Sequence, residues 1–182
     1  HHPDWRLRAT DAKTDAGFDI GNYLSICVNS PYLDELFIPQ SIEVVTSYDI
    51  DEVFYDTMTG FNPCFCDHCK RRFGHPIPKS SEDPRWLEYV AWYRSCYDEF
   101  FAKTAREVHK AKPDITIAFN WEWGVRRPCD PPPFISRISA DLIPTGTVAS
   151  SLTHYSAGTG YPHDYMCGRF LHGLGDWNNS TR

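Results

Sequence analysis

The 182-residue chain has no basic run longer than Lys70-Arg71-Arg72, and its 24 acidic side chains outnumber 18 basic ones. Phosphate binding needs a concentrated positive face, so nucleic acid is not the expected partner. No apolar run approaches the roughly 20 residues that span a bilayer, and no secretory leader core is visible, so no membrane partner is expected. The glycines at 158, 160, 173 and 175 lack the strand–glycine–helix setting of a phosphate loop, and there is no Gly-x-Ser-x-Gly nucleophile elbow. Internal repeats and low-complexity tracts are missing too. None of this calls for an organic cofactor.

What is present is aromatic. Six Trp and ten Tyr raise the aromatic content to 15 %, and rings with a polar tip serve sugar clefts as readily as ordinary cores. Eight His are scattered; His1, His2, His154, His163 and His172 fall in expected loops and could line a cleft, but no spacing singles one out.

Short β-branched or aromatic runs predict buried strands at Tyr23 to Val28, Glu52 to Tyr55, Ile115 to Phe119 and Asp141 to Ile143. Leu33, Leu36, Phe37, Val44, Val45 and Tyr48 mark a first helix, with Pro39 either kinking it or setting its start. The second helix has Asp83 as cap, Pro84 at its first position and Trp86, Val90, Tyr93, Tyr97, Phe100 and Val108 at three- and four-residue steps; Lys110-Ala111-Lys112-Pro113 closes it. A third helix is expected from Phe134 to Ala140. Strand and helix in alternation imply parallel pairing, as in a doubly wound sheet or a barrel. Loops after strands are long (57–83 and 121–133) and loops into strands short (49–51 and 112–114), which puts chemistry at the strands' C-terminal ends.

Cys64-Phe65-Cys66-Asp67-His68-Cys69 packs three thiols into six residues. Three thiols so close cannot all pair with one another, but they suit a tetrahedral zinc ion. Cys27, at the end of the first expected strand, is the choice for fourth ligand and His68 the reserve. The alternatives are free buried thiols or one bridge of the Cys27–Cys64 type. Seven cysteines leave one unpaired, which weakens a disulfide reading. Four thiolates leave no open coordination position, so the zinc would be structural.

Only Asp56 follows directly on the apolar run Val53-Phe54-Tyr55, at the C-terminal end of its strand. It serves as a turn residue or as a catalytic carboxylate; Asp49 and Asp51 lie at the other end. Glycoside hydrolysis generally uses two carboxyl groups. Glu122, between Trp121 and Trp123, is the candidate second one, since partial desolvation would raise its pKa; pairing with Arg126 or Arg127 is the plainer reading. Asn120 at the next strand end could bind a sugar hydroxyl.

Asn29-Ser30-Pro31-Tyr32, the stretch from Tyr48 to Asp56, and Cys64-x-Cys66-x-x-Cys69-x-x-x-Phe73 together resemble the hypothetical glycosyl hydrolase-like proteins of bacteria. These are relatives of the family 29 and family 151 α-L-fucosidases, often found with a β-galactosidase-type trimerisation domain. The resemblance runs from His2 to about Ile143. The cysteine pattern is also similar to that of family 42 β-galactosidases, which implies one zinc on Cys27, Cys64, Cys66 and Cys69. That family has an Asn-Glu pair directly after the aspartate aligned with Asp56, whereas this chain has Thr57-Met58, so its acid/base residue is missing. The fucosidase-like pattern implies instead that Asp56, in Phe54-Tyr55-Asp56, is a nucleophile at the end of a barrel's fourth strand.

The expectation is therefore an α/β fold, a partial (β/α)8 TIM barrel of about strands 3 to 6, as one incomplete domain over residues 1–182. A full barrel takes about 250 residues, and the chain opens on His1 without Met and stops on a polar Asn178–Arg182. The function expected is a retaining exo-glycosidase of α-L-fucosidase-like type acting on oligosaccharides. Asp56 and Glu122 are its catalytic pair, with Asn120, Trp121, Trp123 and Tyr32 on substrate. A non-catalytic carbohydrate-binding barrel and a β-galactosidase-like enzyme are the alternatives. A reduced cysteine cluster favours the cytoplasm, and the complete protein is expected to be a homo-oligomer, a trimer by resemblance.

Overall fold

The computed structural model describes residues 2–10, 25–56, 63–119, 132–141 and 146–166. The chain divides into two units, the first made of His1–Asp49 and Gly60–Pro113, the second of Ile50–Thr59 and Asp114–Arg182.

Helices dominate the first unit. A π-helical turn at Leu33–Phe37 leads into α1, Ile38–Ser47, with Pro39 in its first turn. Proline has no N–H to lose there, so it sets the start of the α-helix rather than kinking it. A short α2, Asp67–Phe73, lies inside the long loop expected at 57–83; it ends at Gly74, whose φ of 74° is a left-handed cap that a β-carbon would strain. The long α3 runs Trp86–Ala111. Asp83 organises the turn before it, its Oδ1 accepting the Arg85 N–H at 2.9 Å. Tyr89, Tyr93, Cys96, Phe100, Thr104 and Val108 fall at three- and four-residue steps and are buried. That apolar stripe is the core of the unit. Phe37 packs on Phe100 with ring centroids 5.1 Å apart, and Phe73 packs on Tyr89 and Trp92 at 4.9 Å each. Each large apolar side chain so buried contributes about 1.5–3 kcal/mol.

Strands carry the second unit. β1 is Glu52–Tyr55 and β2 Thr116–Phe119, paired in parallel from Glu52↔Thr116 to Tyr55↔Phe119. Tyr55 and Phe119 stack across that pair with centroids 5.0 Å apart. β3, Ile138–Asp141, pairs in parallel with β4, His163–Met166, and α4, Gly146–Thr159, separates them in the chain. The Ser136 N–H reaches Ile117 O at 2.8 Å, so the approach to β3 runs along β2. A polar cluster gathers at the N-terminal ends of the strands. The Glu52 carboxylate accepts hydrogen bonds from Arg137, from Ser136 Oγ at 3.0 Å and from Thr116 Oγ1 at 3.3 Å. Arg137 Nε also reaches Asp164 Oδ2 at 2.6 Å, so one guanidinium ties β1 to β4.

Four expectations differ from this arrangement. Asp83 and Pro84 do not open the long helix, which starts at Trp86 with Arg85 as its N-cap. Residues 25–28 are not a parallel strand: Ile26 makes one isolated antiparallel bridge, to Arg6. The expected third helix, Phe134 to Ala140, is a turn followed by β3, because Ile138 and Ser139 are buried against strands from other parts of the chain. The strand expected from Asp141 to Ile143 is accordingly β3, three residues earlier; 142 and 143 lie outside the described residues. A mixed helix and strand structure stands, with two parallel strand pairs and no closed barrel among the described residues. Among those residues, no helix is long and apolar enough to cross a membrane.

Charged hydrogen bonds shielded from water outweigh exposed ion pairs. The Arg137 and Glu52 side chains are each 28 % exposed, against 48 % and 78 % for Lys70 and Asp67. In urea unfolding of the complete chain, Arg137→Met should lower stability by about 1–3 kcal/mol and Lys70→Ala by less than about 0.5 kcal/mol. Equal effects would contradict a clamping role for Glu52 and Arg137.

Candidate metal centre and strand-end carboxylate

Cys27, Cys64, Cys66 and Cys69 meet in the first unit, all four buried, with sulfurs within 4.8 Å of one another. Three segments deliver them. The Cys27 N–H bonds Trp5 O at 2.8 Å and the Leu7 N–H bonds Ser25 O at 2.9 Å, so the segment around Ile26 is held by that around Arg6. Arg8 continues the path: its O accepts the Phe65 N–H at 3.0 Å, and its own N–H points to Cys64 Sγ at 3.3 Å. Cys66 is the N-cap of α2, and Cys69 is on its buried face. The aromatic face of α3 backs this loop: Phe65 packs on Trp86 and Tyr89, and the Tyr89 hydroxyl donates to Cys64 O.

Cys27 Sγ lies 3.4 Å from Cys69 Sγ and 3.5 Å from Cys66 Sγ. A disulfide would require about 2.0 Å, and all four are free thiols. A tetrahedral ion with metal–sulfur bonds of about 2.3 Å separates its sulfurs by about 3.8 Å, so the donor set fits a metal ion. The electrostatics agree. Hydrogen bonding to Cys64, then to Cys66 and Cys69, together with burial, pushes the Cys27 thiol far up, while hydrogen bonds from Cys27, Cys64 and Cys69 hold Cys66 far down. Four thiolates this close would repel one another, and a bound cation would offset that repulsion.

N–H groups surround the sulfurs. Besides Arg8 on Cys64, the Asn29 N–H points to Cys27 Sγ at 3.4 Å and Asn29 Nδ2 to Cys69 Sγ at 3.3 Å. Cys27, expected as fourth ligand, is in the set, although an antiparallel bridge rather than a parallel strand brings it there. His68, the reserve, is outside it: Nε2 is 3.7 Å from Asp4 Oδ2 and Nδ1 2.9 Å from Arg71 Nη2. Sequence reading missed Arg8, Asn29 and Tyr89. Only Asn29 carried a signal, through its place in Asn29-Ser30-Pro31-Tyr32.

Asp56 belongs to the second unit. It follows Tyr55 at the C-terminal end of β1 and is exposed. Tyr32 belongs to the first, half-buried, with its ring 6.1 Å from Trp5 and 5.7 Å from Phe37; burial raises its pKa. Asn120, Trp121, Glu122 and Trp123 lie outside the described residues.

No protein-family model matches the chain, and no curated protein does. Among solved structures, the fold is similar to α-L-fucosidase isoenzyme 2 from Paenibacillus thiaminolyticus, with a TM-score of 0.65 and 22 % identity over 92 % of this chain. The matched region covers 26 % of that enzyme, so this chain spans about a quarter of its length.

A four-sulfur centre has a direct analytical consequence. Reduced protein purified without chelator should carry about one metal ion per chain, and Cys27→Ser and Cys66→Ser should each cut that content by more than about half. Metal content below about 0.2 per chain in the unaltered protein would refute the centre.

Proposed function

We propose that this chain is part of a (β/α) barrel of a glycoside hydrolase, a retaining exo-glycosidase of α-L-fucosidase-like type, with Asp56 as nucleophile. The observation that carries the proposal is the position of Asp56. It is an exposed carboxylate at the C-terminal end of a parallel strand, in a chain whose fold is similar to an α-L-fucosidase. Parallel α/β folds concentrate their chemistry at that end, while the Glu52–Arg137 cluster occupies the other.

In the proposed reaction Asp56 attacks the anomeric carbon and displaces the leaving-group oxygen, which takes a proton from Glu122 or from a carboxyl outside this chain. Water then hydrolyses the glycosyl ester, with the acid now acting as base. Asn120, Trp121 and Trp123 would meet the sugar. Carbohydrate is then the substrate class, with sugar and linkage set by loops.

The four cysteines are assigned to one structural zinc ion. A buried, purely thiolate, four-coordinate set is typical of zinc and leaves no position for substrate. Its role would be to pin the loop that follows β1. Cytoplasmic location and assembly into a trimer belong to the same proposal, the first resting on the free thiols.

The test is Asp56→Gly in the complete protein, assayed on aryl α-L-fucosides and β-galactosides. Loss of at least about 10³-fold in kcat/KM, about 4 kcal/mol, is expected. Azide should restore turnover by attacking the anomeric carbon from the vacated side, giving a glycosyl azide. Unchanged turnover would remove Asp56 from the mechanism. Glycan binding by an unaltered protein that hydrolyses none of these substrates would favour the carbohydrate-binding alternative.

A further inference from the structure

Asn29 sits two residues past Cys27 and touches two of the four sulfurs. Its backbone N–H points to Cys27 and its side-chain Nδ2 to Cys69. On its other side, Arg72 of α2 donates to the Asn29 Oδ1 and is itself ion-paired with Glu99 of α3. Guanidinium has donors and no acceptor, so it demands the oxygen of the amide. With the oxygen so engaged, the amide can offer Cys69 only N–H. A sulfur that faces N–H donors is best satisfied as an acceptor, which is the thiolate that a metal needs.

The other donors differ in kind. Cys64 faces the main-chain N–H of Arg8, and Cys27 that of Asn29, groups that a side-chain substitution leaves in place. Cys69 faces a side chain. Four thiolates around a divalent cation carry two net negative charges in a buried site, and each N–H···S contact draws off part of that charge.

We infer that Asn29, oriented by Arg72, is a positioning residue that sets how tightly a thiolate-held metal ion is retained. The inference rests on the metal reading of the four cysteines and extends it to Asn29, Arg72 and Glu99, which join α2 and α3 to the sulfurs.

The test uses the complete chain loaded with zinc, and separately with cobalt(II) as a spectroscopic probe. Asn29→Leu keeps the main-chain donor to Cys27 and removes the donor to Cys69. Zinc affinity, measured against a chromophoric chelator, should fall by about 10- to 100-fold. The sulfur-to-cobalt charge-transfer band should shift while the tetrahedral cobalt bands persist. Arg72→Gln, at a side chain 41 % exposed, should give a smaller loss. The double variant should lose no more than Asn29→Leu alone, because Arg72 acts through the amide. Unchanged zinc affinity and cobalt spectrum in Asn29→Leu would overturn the inference and leave the metal centre standing. Additive losses in the double variant would overturn the part assigned to Arg72. Absence of bound metal in the unaltered chain would overturn the metal reading itself.

Discussion

Four buried sulfurs within 4.8 Å of one another are the constraint around which the first unit is organised. Thiols are small and weakly hydrogen-bonding, and four of them alone make a poor core. Much of the surrounding structure serves to hold them together. Arg6 and Ile26 bridge so that Cys27 arrives, Arg8 and Phe65 pair so that Cys64 arrives, and α2 starts at Cys66 so that Cys69 lies one turn on. The aromatic face of α3 closes over the group through Tyr89 and Tyr93, both almost fully buried. The short helix α2 has little independent stability at seven residues. Its place depends on the cysteines at its N-terminal turn and on Phe73 against α3.

The second unit obeys a different rule. Parallel strands have no hairpin turn to set their register, so side-chain ties between distant residues must do it. Glu52, Thr116, Ser136, Arg137 and Asp164 form such ties at the N-terminal ends of the strands, and Tyr55 stacked on Phe119 acts nearer the C-terminal ends. Asp56 stands at the opposite, C-terminal end of β1.

Elements with a strong local signature are legible in the amino-acid sequence alone. β1 matches the expected Glu52 to Tyr55, β2 falls within one residue of the expected start, and α3 buries Tyr93, Phe100 and Val108 of its predicted stripe, with Trp86, Val90 and Tyr97 half-buried. Elements without such a signature are not. β4 reads His163-Asp164-Tyr165-Met166, with no apolar run, and exists because it pairs with β3. α4 begins at Gly146 and is rich in Ser, Thr and Gly, poor helix formers that give no periodic signal. The segment from Phe134 to Ala140 has apolar residues at helical spacing, yet pairing at Ser136 and burial of Ile138 turn it into an extended approach to β3. Local pattern is outvoted there by long-range partners.

The site divides in the same way. The sequence by itself determined that Cys64, Cys66 and Cys69 are close, since six residues cannot separate them far, and that Asp56 follows a strand. Only the tertiary structure decided that Cys27 joins them rather than His68, because the choice depends on Arg6 and Arg8, which lie some twenty and fifty-six positions from the residues they hold. It alone also decided that Asn29 meets two sulfurs and a guanidinium. Hydrogen bonds of that kind depend on distance and orientation in space, and a linear pattern of residue types carries neither across segments that fold together only when the core forms.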